Sequence, residues 1–317
     1  MTAALALLAG AVIAGWLIPG GLRRVDLRRR DPGLLIVAWL VSSAGVPLAA
    51  ATGVLLLLLP GHGSGAPLLA AVHRCWSAIQ HGSPPRVEEV AGLVGVGLLA
   101  AFAIRLVVVS VRGFRRRSRK RRESLGVLRL VARPAKDPSG ILWLAHDEPL
   151  AFSMAGRPGT VVATEGLARH LDPGAVAAVL AHERAHLDGR HHLLVAIADA
   201  VRATFPFVPL FRQAPRAIRD LVELAADVVA VRNCGPAAVR TALLKVTRHG
   251  APSTSLAMAQ DAVALRLARL QHDSRPPGRL RRTVSWGLMA VTAAVLPFLA
   301  GTGLLLGIAL ITCPLGS

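Results

Sequence analysis

Four apolar stretches, each long enough to cross a bilayer as a helix, limit this chain's possible folds more than any other feature. They cover residues 2–20, 33–59, 87–111 and 284–312. A hydrocarbon core about 30 Å thick takes roughly 20 such residues. Inside it, only helices and closed barrels satisfy their own backbone polar groups. Composition agrees: 53% of the 317 residues are hydrophobic, high for a water-soluble chain. Pro47 and Pro297 fall inside two stretches, where membrane helices tolerate a kink. No stretch carries a charge at its centre, save Arg105, which sits near the end of the third and can snorkel to the surface. Arginines follow the first stretch instead of preceding it. That order is the reverse of a secretory signal, so the stretch reads as a retained helix.

The formal charge of +19 is unevenly placed. Arg23, Arg24, Arg28, Arg29 and Arg30 separate the first two stretches. Arg115, Arg116, Arg117, Arg119, Lys120, Arg121 and Arg122 follow the third, and Arg275, Arg279, Arg281 and Arg282 precede the fourth. The 61–86 connection holds only Arg74 and Arg86. Basic connections stay in the cytoplasm and meet anionic headgroups there. The pattern predicts a multi-pass protein of a bacterial plasma membrane, with both termini and the 61–86 loop outside. A nucleic-acid partner is not expected, because the basic runs lack interleaved aromatics and the chain has no tyrosine. The cysteines, Cys75, Cys234 and Cys313, form no C-x-x-C pair and suggest no thiolate metal site. A Cys75–Cys313 disulfide on the outer side is the one pairing topology permits.

Between the third and fourth stretches lies a polar region, 113–283, large enough to bury a core. The fold class expected is an α-helical membrane protein with four transmembrane helices and a cytoplasmic α+β domain. Residues 127–131 and 141–145 read as strands around a turn at Asp137-Pro138-Ser139-Gly140. Residues 151–154 and 160–163 read as a hairpin. Asp172-Pro173 then opens a helix over 174–188, an N-cap followed by a proline suited to the first turn. Further helices are expected at 193–203, 217–232, 237–249 and 257–271. Pro206, Pro209 and Pro215 break the chain in an apolar elbow containing Phe205, Phe207, Val208, Leu210 and Phe211. That elbow is either a buried loop or an apolar patch resting on the membrane surface.

Chemistry concentrates in His182-Glu183-Arg184-Ala185-His186. On a helix, residues four apart share a face, so His182 and His186 can hold one metal ion. Glu183 is turned aside from that face and can serve as base toward a water without displacing it. This His-Glu-x-x-His arrangement is that of zinc peptidases. Zinc with an open position takes a third protein ligand. Glu223 is the candidate, four residues before Asp227 on a mostly apolar helix. Its other reading is a salt bridge to Arg219, one turn away. Asp227 is placed to accept the free N–H of a ligand histidine. His191 follows the motif closely, as a supporting or structural residue. Arg219 is a candidate stabiliser of developing negative charge.

Three segments together resemble the integral-membrane gluzincins, which include HtpX-type and CAAX-prenyl-type proteases. They are 161–167 (Val-Val-Ala-Thr-Glu-Gly-Leu), 180–191 and Glu223-Leu224-Ala225-Ala226-Asp227. The layout most resembles BlaR/MecR-type membrane peptidases, with a cytoplasmic zinc domain between a third and a fourth membrane helix. The resemblance implies one Zn²⁺ per chain, ligands His182, His186 and Glu223, base Glu183, and Asp227 in support. It also implies that a strand near 151–153 or 160–164 binds extended substrate by edge pairing. The expected partner is a protein substrate, a transcriptional repressor of the BlaI type. Membrane-protein quality control is the alternative, and a non-catalytic signalling or scaffold role the third. The chain ends at Ser317, which leaves no room for the penicillin-binding sensor of the BlaR/MecR type. The 61–86 loop, with His62, His73, Cys75 and His81, reads as a solvated loop, a metal-sensing role being the sharper alternative.

Overall fold

The computed structural model describes residues 2–27, 30–58, 87–131, 133–134, 141–156, 159–250 and 256–271. Beyond these it describes 284–285, 287–288, 291–292, 295–303 and 307. The 61–86 loop lies outside the described residues, and so do Cys75 and Cys313.

Three long helices come first: α1 (Thr2–Arg23), α2 (Pro32–Leu58) and α3 (Val87–Val131). Among the described residues, three segments are long and apolar enough to cross a membrane: Ala4–Arg23, Pro32–Leu58 and Val90–Ser124. The fourth stretch is described only in part. Its residues 295–303 are helical. They cross α1 so closely that a Cβ on Gly10 would lie 2.5 Å from the Pro297 carbonyl oxygen, so only glycine fits there.

The strand expected at 127–131 does not form, because α3 continues through it to Val131. The intervening arginines, lysine and glutamate are good helix formers. A helix already nucleated also extends at little cost per residue. Membrane segment and basic run are therefore one rod. Arg105 on that rod has a partner within the protein. Its Nε and Nη2 donate to the Ala203 carbonyl at 3.2 and 2.9 Å.

A four-stranded sheet follows, with β1 (Arg133–Pro134), β2 (Ile141–Leu144), β3 (Ala151–Met154) and β4 (Thr160–Thr164) in the order β1-β2-β4-β3. β2 and β4 run parallel, while β3 and β4 form the expected antiparallel hairpin. β3 is thus an edge and β4 is interior. Six helices complete the chain: α4 (Glu165–His170), α5 (Pro173–Asp188), α6 (His191–Thr204), α7 (Pro209–Cys234), α8 (Pro236–Gly250) and α9 (Leu256–Gln271). Asp172 caps α5, accepting from the Ala175 N–H at 2.9 Å. α7 begins eight residues earlier than expected and carries Pro215 inside it. An interior proline removes one helical hydrogen bond and costs about 3 kcal/mol. Leu210, Phe211, Pro215 and Ile218, all 2% exposed or less, offset that cost by burial.

Two cores result. One joins the sheet residues Ile141, Val161 and Ala163 to Ala175 and Ala178 of α5, Ala230 of α7, and Val239 and Ala242 of α8. The other joins Ala11, Ala14 and Ile18 of α1 and Leu35, Trp39 and Val46 of α2 to Leu210, Phe211, Ala214 and Ile218 of α7. The membrane-length helices and the polar region therefore share a core through α7.

Candidate metal centre

α5 presents the histidines and α7 the carboxylates, packed side by side. His182 Nε2 lies 3.1 Å from His186 Nε2 and 3.3 Å from Glu223 Oε2, and His186 Nε2 lies 3.5 Å from Glu223 Oε1. In a tetrahedral zinc site with bonds about 2.0–2.1 Å long, neighbouring donor atoms stand roughly 3.3 Å apart. The spacing and the two-imidazole, one-carboxylate chemistry both fit a single zinc ion. These three residues form the one His/Cys/Asp/Glu cluster of metal-binding spacing among the described residues.

Each remaining imidazole nitrogen has a partner that orients the ring. His182 Nδ1 lies 3.0 Å from Asp227 Oδ1. His186 Nδ1 lies 3.0 Å from His191 Nδ1. His191 reaches that position through a sharp turn. Arg190 adopts a left-handed conformation at φ 48°, and the His191 ring occupies the space a side chain on Gly189 would fill. The two imidazoles thus turn their Nε2 atoms toward Glu223, the orientation metal ligation needs.

Electrostatics separate the two histidines. Burial alone would lower the His182 pKa, but hydrogen bonds to the Asp227 and Glu223 carboxylates raise it to about 9. Burial pushes His186 down to about 4, against the attraction of Glu223. At neutral pH and without metal, His182 is the cation and His186 the neutral acceptor facing it. Glu223 and Asp227 resist burial's upward pull and stay below their usual range, because each is hydrogen bonded by His182.

A testable consequence follows for metal uptake. A histidine must lose its proton to ligate, so zinc competes with the His182 proton. Calorimetry in buffers of different ionisation enthalpy should show close to one proton released per zinc at pH 7. Apparent affinity should rise about tenfold per pH unit up to the His182 pKa and flatten above it. Zero proton release at pH 7 contradicts the His182 assignment.

Glu183 sits beside this cluster in a cavity of about 180 Å³ that it shares with His182, Glu223, Asp227 and Arg266. Burial pushes its carboxyl up, while His182 and hydrogen bonds from the Ser153 hydroxyl and backbone N–H pull it down. Those Ser153 bonds come from the free edge of the sheet. The Leu150 carbonyl takes the Thr164 N–H, so by strand alternation Phe152 faces β4 while Ala151 and Ser153 turn outward.

Arg219 is elsewhere. Its Nη2 donates to Asp199 at 2.6 Å, and Asp199 also holds Arg117 of α3 at 3.0 Å. Arg219 is therefore neither Glu223's partner nor a guanidinium at the cavity. That place belongs to Arg266 of α9, which sequence reasoning missed. It grips Asp227 with Nε and Nη2, both at 2.7 Å, and its Nη1 lies 3.7 Å from Glu223. The available signal was a lone arginine in an apolar run, Ala262-Val263-Ala264-Leu265-Arg266-Leu267-Ala268. A buried carboxylate such as Asp227, at 2% exposure, needs a cation of that kind.

Two histidines and a glutamate on adjacent helices, with a second glutamate beside them and an edge strand alongside, are the donor set and surroundings that a metallopeptidase site uses. Residues 115–249 match the model of Peptidase family M48, a family of zinc metallopeptidases. That segment contains His182, Glu183, His186, Glu223 and Asp227. Arg266 lies outside it. No curated protein and no solved structure gives a significant match.

Proposed function

We propose that this chain is a multi-pass membrane zinc endopeptidase whose catalytic region faces the cytoplasm. The observation that carries the reading is the convergence of His182 Nε2, His186 Nε2 and the Glu223 carboxylate beside Glu183. In this reading His182, His186 and Glu223 hold one zinc ion. Bound there, zinc supplies a Lewis acid that polarises a water and the scissile carbonyl.

The chain's own residues do the rest. The outward-facing backbone groups of Ala151 and the Ser153 carbonyl pair with an extended substrate segment, adding a strand to the sheet. Of the two strands considered from sequence, only β3 has a free edge. Glu183 takes a proton from the attacking water at its carboxylate and delivers it to the leaving amine. Burial's upward push on its pKa suits a group that must carry that proton between steps. Asp227 holds His182, and Arg266 balances the charge of Asp227 and Glu223.

The substrate proposed is a cytoplasmic protein, a transcriptional repressor of the BlaI type. A second reading, turnover of membrane proteins as in HtpX-type proteases, draws support from the core that α7 shares with α1 and α2. Purified protein in lipid nanodiscs should be given casein, a winged-helix repressor and a membrane-anchored protein, with and without added zinc. Zinc-dependent cleavage of the repressor alone favours the first reading, and of the anchored protein the second. No cleavage of any, with zinc bound, leaves the non-catalytic role standing instead.

A further inference from the structure

The α6–α7 hairpin carries its most apolar residues at its tip, and that tip lies among the membrane-length helices. Phe205 stacks on Phe102 of α3, with ring centres 4.9 Å apart, and on Phe211 at 5.1 Å. Val208 packs on Gly15 of α1, where a Cβ would meet it at 2.9 Å. Gly15 is eight residues from Arg23 and Phe102 ten from Arg112. At 1.5 Å per residue the tip reaches roughly 12–15 Å past Arg23 and Arg112, where the apolar stretches of those helices give way to arginines, about the depth of one leaflet's hydrocarbon.

Its surface suits that depth. Phe207 is 62% exposed and Ile197 50%, on a helix with Leu193 also outward. Beside them a cavity of about 460 Å³ opens between α2, α3 and the hairpin, lined by Leu40, Leu99, Phe102, Ile197 and Phe205. Arginines girdle the hairpin above the tip. Arg212 and Arg216 share a cleft with Arg23. Arg202, exposed in the last turn of α6, stands where helical side chains lean toward the helix start, away from the tip.

An interrupted helix in lipid has a specific difficulty: the carbonyls of its last turn lack partners, and no water is at hand. Here they are met. The Val201 carbonyl takes the Phe205 N–H, and the Ala200 carbonyl takes the Thr204 hydroxyl. The Ala203 carbonyl takes both Arg105 bonds. Arg105 is a cation inside a membrane-length segment, and the carbonyl end of α6, carrying partial negative charge, is what it faces.

We propose that the tip of this hairpin, residues 203–211, is sunk in the cytoplasmic leaflet, with lipid acyl chains against Ile197 and Phe207 and Arg105 satisfying the end of α6. His191, which backs the ligand His186, opens α6 at its far end from the tip, and the ligand Glu223 lies midway along α7. The insertion therefore fixes the height of the metal centre above the membrane.

Spin-label collision measurements in vesicles of phosphatidylethanolamine and phosphatidylglycerol test this without reading activity. In full-length protein with Cys75, Cys234 and Cys313 replaced by alanine, labels are placed through Phe207→Cys, Ile197→Cys and His192→Cys. Leu98→Cys on α3 is the lipid reference and Arg119→Cys the aqueous one. The ratio of oxygen to nickel-chelate collisions at 207 should match that at 98 within a factor of about two, fall at 197, and reach the 119 value at 192. A nickel-dominated ratio at 207 overturns the proposal. So does low collision with both reagents there, which would mean that protein covers the tip. Adding Arg105→Met should at least halve the ratio at 207 while that at 98 holds; an unchanged ratio at 207 removes Arg105 from the proposal.

Discussion

Glu183→Gln should abolish peptide cleavage while zinc content stays at the wild-type level. The glutamine is nearly isosteric, and its amide oxygen can still accept the Ser153 N–H that now reaches the carboxylate. What it cannot do is accept the water proton and pass it on. General-base loss of this kind lowers turnover by about 10²–10⁴-fold. Stability should not suffer, because burial already disfavours the charged form of this side chain. The measurement is kcat on a peptide or protein substrate together with metal analysis of the same preparation. Cleavage within tenfold of wild type would remove Glu183 from the chemistry. Loss of zinc alongside activity would make it part of the metal-holding set instead.

Glu223→Ala should strip the metal. Its carboxylate lies against both histidine Nε2 atoms, at 3.3 and 3.5 Å, and no neighbouring group can replace it. Asp227 is committed on both oxygens, to His182 Nδ1 and to the Arg266 guanidinium. Loss of a supporting residue around a metal costs about 10–100-fold in affinity, and loss of a direct ligand should exceed the upper end of that range. Competition with a chromophoric chelator reads the affinity directly. Full zinc retention would exclude Glu223 as third ligand. The other reading of Glu223, a surface salt bridge with Arg219, predicts no change in zinc at all. The pairing of Arg219 with Asp199 already removes its basis.

Much of the site was legible because it is local. His182, Glu183 and His186 lie within one helical turn and a residue, and Asp172-Pro173 announces where that helix starts. Glu223 and Asp227 repeat the spacing of four on a second helix, so both pairs declare a face before any tertiary contact is known. The membrane-length stretches were equally plain, since a run of apolar residues is its own evidence. The errors came where local pattern and context disagree. The alternation at 127–131 suggests a strand, but a helix already formed through the preceding residues costs less to continue than to stop. Pro215 suggests a break, yet it is built into α7 because the surrounding apolar burial outweighs one lost hydrogen bond.

The sequence by itself determined the residue types a zinc peptidase needs, their helical spacing, and the apolar segments long enough to cross a membrane. Tertiary structure alone decided the rest. It turned α7 so that Glu223 meets the histidines, brought Arg266 to Asp227 across 39 residues, and folded His191 back on His186 through the left-handed Arg190. It left β3, rather than β4, with a free edge, and it drew Arg105 to the end of α6. The physical reason is common to all of these. A buried charge, an unpaired carbonyl or an open strand edge must find a partner, and the sequence states the need long before it shows which distant residue will meet it.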